Sequence, residues 1–311
     1  MKILLATDGS DNANAALDFL QRFPLPAQCS ITLLNVIDER LFVDPDAVEL
    51  NVEQRDALHH AGETFREEAY QFLGNQAERL ARDGCTVETM VRSGYVAEEI
   101  LMAAEDLQVD LAVIGAHGLS VSRYFLLGSV ATKVLEYAPC SVLVVKQTAE
   151  ETSPRGAIIE VPEPVGEAGD WRILLAYDDS RPARKAVSLC ASLPFGKQDE
   201  IIVVTVLTLV TAFRQDIRQY MNPISQQKKI ATKAALDSVV ATLRGSLPNV
   251  SSRLVEGANS AHEIIEHARH TGCDLIILGN KGKKAIHRFL LGSITSHVAR
   301  HAPCSVWVVR D

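Results

Sequence analysis

The sequence predicts an α/β protein built of two domains in tandem, each a doubly wound parallel sheet covered by helices. Three observations lead there. The chain of 311 residues repeats itself. Within each repeat, short apolar runs alternate with segments of helical period. The apolar runs, such as Ile201-Ile202-Val203-Val204, are continuous in branched residues, as suits strands covered on both faces.

The repeat can be read off directly. Lys2-Ile3-Leu4-Leu5-Ala6-Thr7-Asp8 returns 170 residues later as Arg172-Ile173-Leu174-Leu175-Ala176-Tyr177-Asp178. Phe125-Leu126-Leu127-Gly128-Ser129 returns as Phe289-Leu290-Leu291-Gly292-Ser293, and Ala138-Pro139-Cys140 as Ala302-Pro303-Cys304, both 164 residues on. The second copy is therefore six residues shorter, which places a longer connection over Leu41 to Asn51 of the first. Between the copies, 148–169 is rich in Glu, Pro and Gly, which is linker chemistry, so the domains are expected at 1–147 and 170–311.

In chain order, the first copy offers strands at Lys2–Thr7, Ser30–Ile37, Thr86–Val91, Asp110–Ile114 and Ser141–Lys146. The second offers Trp171–Tyr177, Glu200–Leu207, Ser251–Val255, Asp274–Leu278 and Ser305–Arg310. The segments between them carry apolar residues at i, i+3, i+4 and i+7, as in Leu236, Val239, Val240, Leu243 and in Ala261, Ile264, Ile265, Ala268. Ser260 and Glu263 read as a capping box for the latter helix, and Gly84 as a helix stop before the third strand.

Composition narrows the function. With 47% hydrophobic and 23% charged residues the chain is a folding one, not a disordered one. A net charge of −8 provides no global positive field, which argues against a nucleic-acid partner. The opening run Met1 to Asp8 meets an acid too early for a signal segment or a membrane span, so a cytoplasmic location without a membrane partner is expected. The six cysteines show no C-x-x-C pair and no zinc-ligand spacing. They read as reduced, mostly structural thiols, a regulatory thiol being the alternative.

Each fourth strand runs into a glycine-rich loop. The first is Gly115-Ala116-His117-Gly118, nine residues, then Gly128-Ser129; the second is Gly279-Asn280-Lys281-Gly282, nine residues, then Gly292-Ser293. Ligands of open parallel sheets lie beyond the carboxyl ends of the strands, where the winding reverses, and both loops fall there. Glycine lets backbone amides approach phosphate oxygens. Gly128 and Gly292 would open helices whose N–H groups and positive dipole ends face an anion, with the Ser129 and Ser293 hydroxyls as further donors. The alternative is that these glycines only permit tight packing of helix on strand. Neither G-x-x-x-x-G-K-[ST] nor G-x-G-x-x-G occurs, which argues against a P-loop ATPase or an NAD enzyme.

The spacing G-x2-G-x9-G-[S/T] resembles the nucleotide loop of the ATP-binding branch of the universal stress protein family, and the chain outside its linker resembles the two-domain form of that family. The resemblance implies a five-stranded parallel sheet in each domain, of the adenine nucleotide α-hydrolase-like fold. It also implies that each loop holds ATP, AMP or another adenine nucleotide, with Mg2+ entering through the phosphates. Carried over residue by residue, the site comprises Thr7, Asp8, Val36, Gly115, His117, Gly118, Gly128, Ser129 and Val130 in the first domain. In the second it comprises Asp178, Val206, Gly279, Lys281, Gly282, Gly292, Ser293 and Ile294. Asp8 and Asp178 would lie near the ribose or a phosphate-bound cation, and the backbone of Val36 and Val206 against adenine. An Asp ending a strand is otherwise a helix N-cap, and both roles can coexist.

Lys281 departs from the family's usual His, and with Lys283 and Lys284 it forms either a charge-neutralising group for a polyphosphate or a solvated basic turn. The apolar last strands, Val142–Val145 and Val306–Val309, would be exposed edges in isolated domains. The family pairs subunits through this strand, which implies an intramolecular pseudo-dimer here, with a homodimer of chains as a further form and an unidentified protein as partner. The implied role is regulatory within a stress response, with a slow ATP hydrolase and a nucleotide-free scaffold as alternatives.

No catalytic residue is assigned, because nothing local sets a base beside a nucleophile. The run from His262 to His270 carries histidines five residues apart at His262 and His267, so these two do not share the helix face that a zinc motif needs, and no metal site is assigned. Exposed Glu263/His267 and Glu266/His270 pairs are expected instead.

Overall fold

The computed structural model describes residues 1–38, 52–119, 126–147, 170–208, 215–282 and 291–311. The long connection at Leu41 to Asn51, the linker at 148–169, Lys283 and Lys284 lie outside the described residues. Two compact units are present, Met1–Lys146 and Gln147–Asp311.

The first unit runs β1 (Lys2–Ala6), α1 (Asp11–Arg22), β2 (Cys29–Asp38), α2 (Val52–Leu80), β3 (Cys85–Gly94), α3 (Val96–Asp106), β4 (Leu111–Gly115), α4 (Ser129–Tyr137) and β5 (Ser141–Val145). Its strands are parallel in the order β3-β2-β1-β4-β5. The second unit runs β6 (Arg172–Ala176), α5 (Arg181–Ser192), β7 (Glu200–Thr208), α6 (Gln215–Arg244), β8 (Val250–Gly257), α7 (Ser260–Thr271), β9 (Leu275–Gly279), α8 (Ser293–His301) and β10 (Ser305–Val309). Its parallel order is β8-β7-β6-β9-β10. In both, the chain winds outward from the first strand and then returns to its other side. The crevice of the switch point therefore opens at the carboxyl ends of β1 and β4, and of β6 and β9.

The central strands explain the continuous apolar runs. Ile3, Leu4 and Leu5 of β1, and Ile173, Leu174 and Leu175 of β6, are all buried to 1% exposure or less. Full burial of each such side chain contributes about 1.5–3 kcal/mol. The outermost β3 is less apolar and carries exposed Thr86 and Glu88, yet it pairs with β2 from Cys29↔Cys85 to Asp38↔Gly94. It is longer than its hydrophobic run predicts because ladder pairing at an edge does not require apolar side chains.

Three local expectations are corrected. Asn259, not Ser260, caps α7: its Oδ1 accepts from the amides of Ala261 and His262 at 3.1 and 3.3 Å, and Ser260 is the first helical residue. Helix α2 ends at Leu80, so Gly84 does not stop it. Gly84 instead takes φ +78° in the turn entering β3, where a Cβ would run into the carbonyl of Ala27. On α7 the Glu266 carboxylate pairs with Arg269, and Nδ1 of His270 meets the Glu266 carbonyl at 2.7 Å. The expected Glu263/His267 pair is not formed, and Nε2 of His267 is buried without a hydrogen-bond partner.

The reading of six reduced thiols also changes. Cys29 and Cys85, the first residues of β2 and β3, form a disulfide with their Cα atoms 4.7 Å apart. A sequence separation of 56 hides this pairing, and only the register of two parallel strands sets the residues side by side. Cys140, Cys190, Cys273 and Cys304 are buried and not disulfide-bonded. Burial pushes the Cys190 thiol up to about 12 and that of Cys273 up to about 11.

Candidate functional site

At the end of β1 the chain is pinned as it leaves the sheet. The amide of Thr7 donates to the Leu34 carbonyl at 2.9 Å, and the Thr7 carbonyl accepts from Nδ2 of Asn35 at 2.8 Å. Asp8 follows. Its Oδ1 accepts from the Ser10 amide at 3.0 Å, and its Oδ2 accepts from the Leu119 amide at 3.1 Å. The carboxylate thus ties the β1–α1 turn to the loop after β4. The N-cap of α1 is Ser10, whose Oγ accepts from the Ala13 amide at 3.3 Å and lies 3.4 Å from the His117 carbonyl, to which it donates. The capping alternative for Asp8 is therefore not met.

The loop after β4 is closed at its base. The Ala116 amide donates to the Val145 carbonyl at 2.8 Å, and the Ala116 carbonyl accepts from the Gly128 amide at 2.8 Å. Gly128 is the N-cap of α4 and offers no side-chain acceptor, and the first helical bond runs from the Thr132 amide to the Gly128 carbonyl at 2.9 Å. The amides of Ser129, Val130 and Ala131 are left without a hydrogen-bond partner among the described residues. First-turn amides at the positive end of a helix, beyond the carboxyl edge of a parallel sheet, are donors suited to an anion. One expectation shifts: the N–H of Gly128 is used within the loop, which leaves the first-turn amides of α4 as the candidate donors in its place.

The second unit repeats the arrangement. Asp178 Oδ1 accepts from the Ser180 amide at 3.0 Å, Ser180 Oγ accepts from the Ala183 amide at 3.3 Å, and the same hydroxyl donates to the Lys281 carbonyl at 3.1 Å. The Gly292 amide donates to the Asn280 carbonyl at 2.8 Å, and the Ser296 amide to the Gly292 carbonyl at 2.8 Å. The amides of Ser293, Ile294 and Thr295 are left as donors among the described residues. Here the Thr295 hydroxyl also donates to the Gly279 carbonyl at 2.8 Å, a tie that Ala131 cannot make in the first unit.

The glycines divide between the two readings open at the sequence level. A Cβ on Gly115 would lie 2.7 to 2.9 Å from atoms of Asn12, and one on Gly279 2.8 to 3.0 Å from Pro182 and Ala183. These two exist for packing of helix on strand. A Cβ on Gly118 would lie 2.6 Å from Oδ2 of Asp8, and one on Gly282 2.8 Å from Oδ2 of Asp178, so this pair makes room for the carboxylates. At Gly128 and Gly292 the nearest atoms would be the Ala116 and Asn280 carbonyl oxygens at 3.3 and 3.1 Å.

The units differ around this common plan. Asp179 takes φ 62° where the first unit has Gly9 at φ 76°. That conformation is held by the Tyr177 hydroxyl, which donates to Asp179 Oδ1 at 2.9 Å, and by Arg184, which donates to the Asp179 carbonyl and Oδ1 at 2.7 and 3.0 Å. Burial, followed by the hydrogen bond to Asp179, pushes the Tyr177 hydroxyl up to about 12. Asn280 is buried where the first unit has Ala116. Burial and Arg310 hold the Lys281 ammonium below its usual range, opposed by Asp311. Val36 and Val206 sit near the carboxyl ends of β2 and β7, opposite Arg92 and Val255, on the edge of the sheet that carries the loops.

Residue spacing alone missed Ser10, Ser180, Asn35, Thr295 and Thr205, whose hydroxyl donates to the Tyr177 carbonyl at 2.8 Å as Asn35 does to that of Thr7. A signal for the first two was present, since Asp-x-Ser occurs after the first strand of both copies. Among the described residues, no three His, Cys, Asp or Glu side chains come together as a metal site, and no helix is long and apolar enough to cross a membrane.

Two doubly wound parallel sheets, each with a glycine-containing loop leading into a helix at its carboxyl edge, define a tandem α/β protein. The chain belongs to the universal stress protein family, which it matches over residues 1–146 and 171–310. Universal stress protein YxiE of Bacillus subtilis is 30% identical over 145 residues, covering 47% of this chain and 98% of that protein. A universal stress protein of Mycolicibacterium smegmatis is 27% identical over 315 residues, covering 99% of this chain and 96% of its own. The crystal structure of a universal stress protein from Archaeoglobus fulgidus DSM 4304 shares the fold, with a TM-score of 0.62 at 21% identity over 99% of this chain and 96% of that one.

Proposed function

We propose that both units bind an adenine nucleotide, ATP or AMP, with its phosphates on the amides of Ser129, Val130 and Ala131 and of Ser293, Ile294 and Thr295. The observation that carries this is the same unsatisfied helix N-terminus, built twice at a switch point. Adenine then lies toward Val36 and Val206, and Mg2+ arrives with the phosphates. Asp8, which ties its turn to the loop after β4, and Asp178 reach the ribose or the cation once those loops admit a ligand.

The bound nucleotide regulates a stress response in the cytoplasm and is not a fuel. Efficient hydrolysis needs an oriented water and groups that stabilise charge developing in the transition state, whereas a cradle that holds the ground state equally well does not accelerate chemistry. Pairing of the two domains through Val142–Val145 and Val306–Val309 belongs to the same proposal, on the strength of their apolar sequence. Calorimetry on ligand-stripped protein with ATP and Mg2+ is expected to give a stoichiometry near two, with phosphate release far below the roughly 1–100 per second of kinases. Absence of binding supports the scaffold alternative. Rapid turnover abolished by Asp8→Asn or Asp178→Asn supports the hydrolase.

A further inference from the structure

We propose that Cys29 and Cys85 are a reversible redox site, a dithiol–disulfide couple that exchanges with low-molecular-weight thiols and disulfides and locks or frees the β2–α2–β3 half of the first unit.

The internal repeat provides a control for this site. Aligned through the pairings of β1 with β2 and of β6 with β7, Cys29 corresponds to Asp199; aligned through the third strands, Cys85 corresponds to Pro248. The second unit closes the same corner without sulfur: Asp199 accepts from the Trp171 amide at 2.8 Å and from the Gly196 amide at 2.6 Å. The fold therefore does not require a covalent bridge there, and the bridge is a property added to the first copy.

The two sulfurs have different surroundings. Cys29 is buried at 6% exposure, whereas Cys85 is partly exposed. The Arg82 guanidinium reaches over Cys29: its Nη2 lies 4.0 Å from Sγ, while its Nη1 donates to the Phe23 carbonyl at 3.2 Å. A fixed cation beside a buried sulfur favours the thiolate over the thiol. These surroundings assign the roles. In the reduced protein the Cys85 thiolate is the one a small disulfide RSSR can reach; it attacks one sulfur, the S–S bond breaks, and RS− leaves and takes up a proton. The Cys29 thiol then gives its proton to solvent, and the thiolate, held by Arg82, attacks the Cys85 sulfur and expels the second RS−, which takes up a proton, so that the two protons released by Cys85 and Cys29 end on the two RSH. In sum, the protein dithiol and RSSR give the protein disulfide and two RSH, with two electrons passing from the protein to RSSR. Reduction is the reverse sequence.

The couple lies at the amino ends of its strands, opposite to the edge that carries the anion loops, so it stands or falls independently of nucleotide binding. The other four cysteines are buried, and burial keeps Cys190 and Cys273 protonated and inert.

The test equilibrates the native full-length protein in graded ratios of reduced to oxidised glutathione, quenches it by alkylation and maps each cysteine by mass spectrometry. Cys29 and Cys85 are expected to change together between dithiol and disulfide, with the other four constant. Cys29→Ser protein should collect a glutathione adduct on Cys85, and Cys85→Ser protein none on Cys29. Asp and Pro at the equivalent places in the second unit indicate that both variants fold. The proposal is overturned if the pair remains dithiol in oxidised glutathione. It is equally overturned if the bridge resists reduction until denaturant is added, or if adducts form on Cys29 as readily as on Cys85.

Discussion

Gly115 and Gly128 belong to one motif but answer to different forces, and substitution separates them. Gly115→Ala forces a Cβ against Asn12 and should cost about 1–3 kcal/mol in denaturant unfolding while leaving the anion donors in place. Gly128 has φ −67° and ψ 161°, which any residue adopts and which an N-cap Asp favours. Gly128→Asp should therefore leave the fold intact and place its own carboxylate on the first-turn amides of α4. Loss of nucleotide binding by a first-domain fragment carrying it, as judged by calorimetry, is the expected outcome, and unchanged affinity refutes the loop assignment. Tyr177 offers a pH test. Its raised value keeps it neutral in the folded state, so the stability it confers is present below about 10, the ordinary value, and is lost as pH rises toward about 12. Tyr177→Phe should flatten the fall in stability over that window. The motif glycines were legible in the sequence because their spacing is duplicated, but the separate duty of each was not, since it depends on which backbone or side-chain atoms pass close by in the folded chain.

The helices and strands show the same division between what a local pattern specifies and what tertiary placement decides. Apolar periodicity located the ten strands among the described residues to within a few residues, because continuous runs such as Leu275–Leu278 have no other way to be buried on both faces. Termini were read less well. Ser260 and Asn259 are both capping residues by chemistry, and only the extended backbone of Asn259, at φ −129° and ψ 104°, decides between them. Asn259→Ala is expected to cost about 1 kcal/mol, whereas Ser260→Ala should lie within about 0.5 kcal/mol of wild type, as read by thermal or denaturant unfolding. Ser10 and Ser180 do more than cap. Their hydroxyls lie on the His117 and Lys281 carbonyls, so replacing either with Ala should loosen the adjoining loop as well as the helix, weakening nucleotide binding in the same unit.

For the whole molecule, duplication is the feature that the sequence displayed most plainly, and divergence between the copies is where it was silent. Nothing in the spacing of Cys29 and Cys85 announces a bond, because their 56-residue separation becomes adjacency only once β2 and β3 are laid in register. Closing a loop of that length removes enough unfolded-state entropy to stabilise the first unit by about 4 kcal/mol. Reduction under native conditions should therefore lower the melting temperature of the first unit alone, as seen by calorimetry of the full chain with and without reductant. The same bond has a mechanical meaning. When the protein is stretched from its two termini, the residues between Cys29 and Cys85 are bypassed, because tension passes through the sulfur bridge. Oxidised chains should then extend less than reduced ones by roughly 190 Å, 56 residues at about 3.4 Å each. Helix α2 lies wholly inside the bypassed segment and bears no load, so in the oxidised protein it is the one long element of the first unit that can be stripped from the sheet yet never drawn out straight.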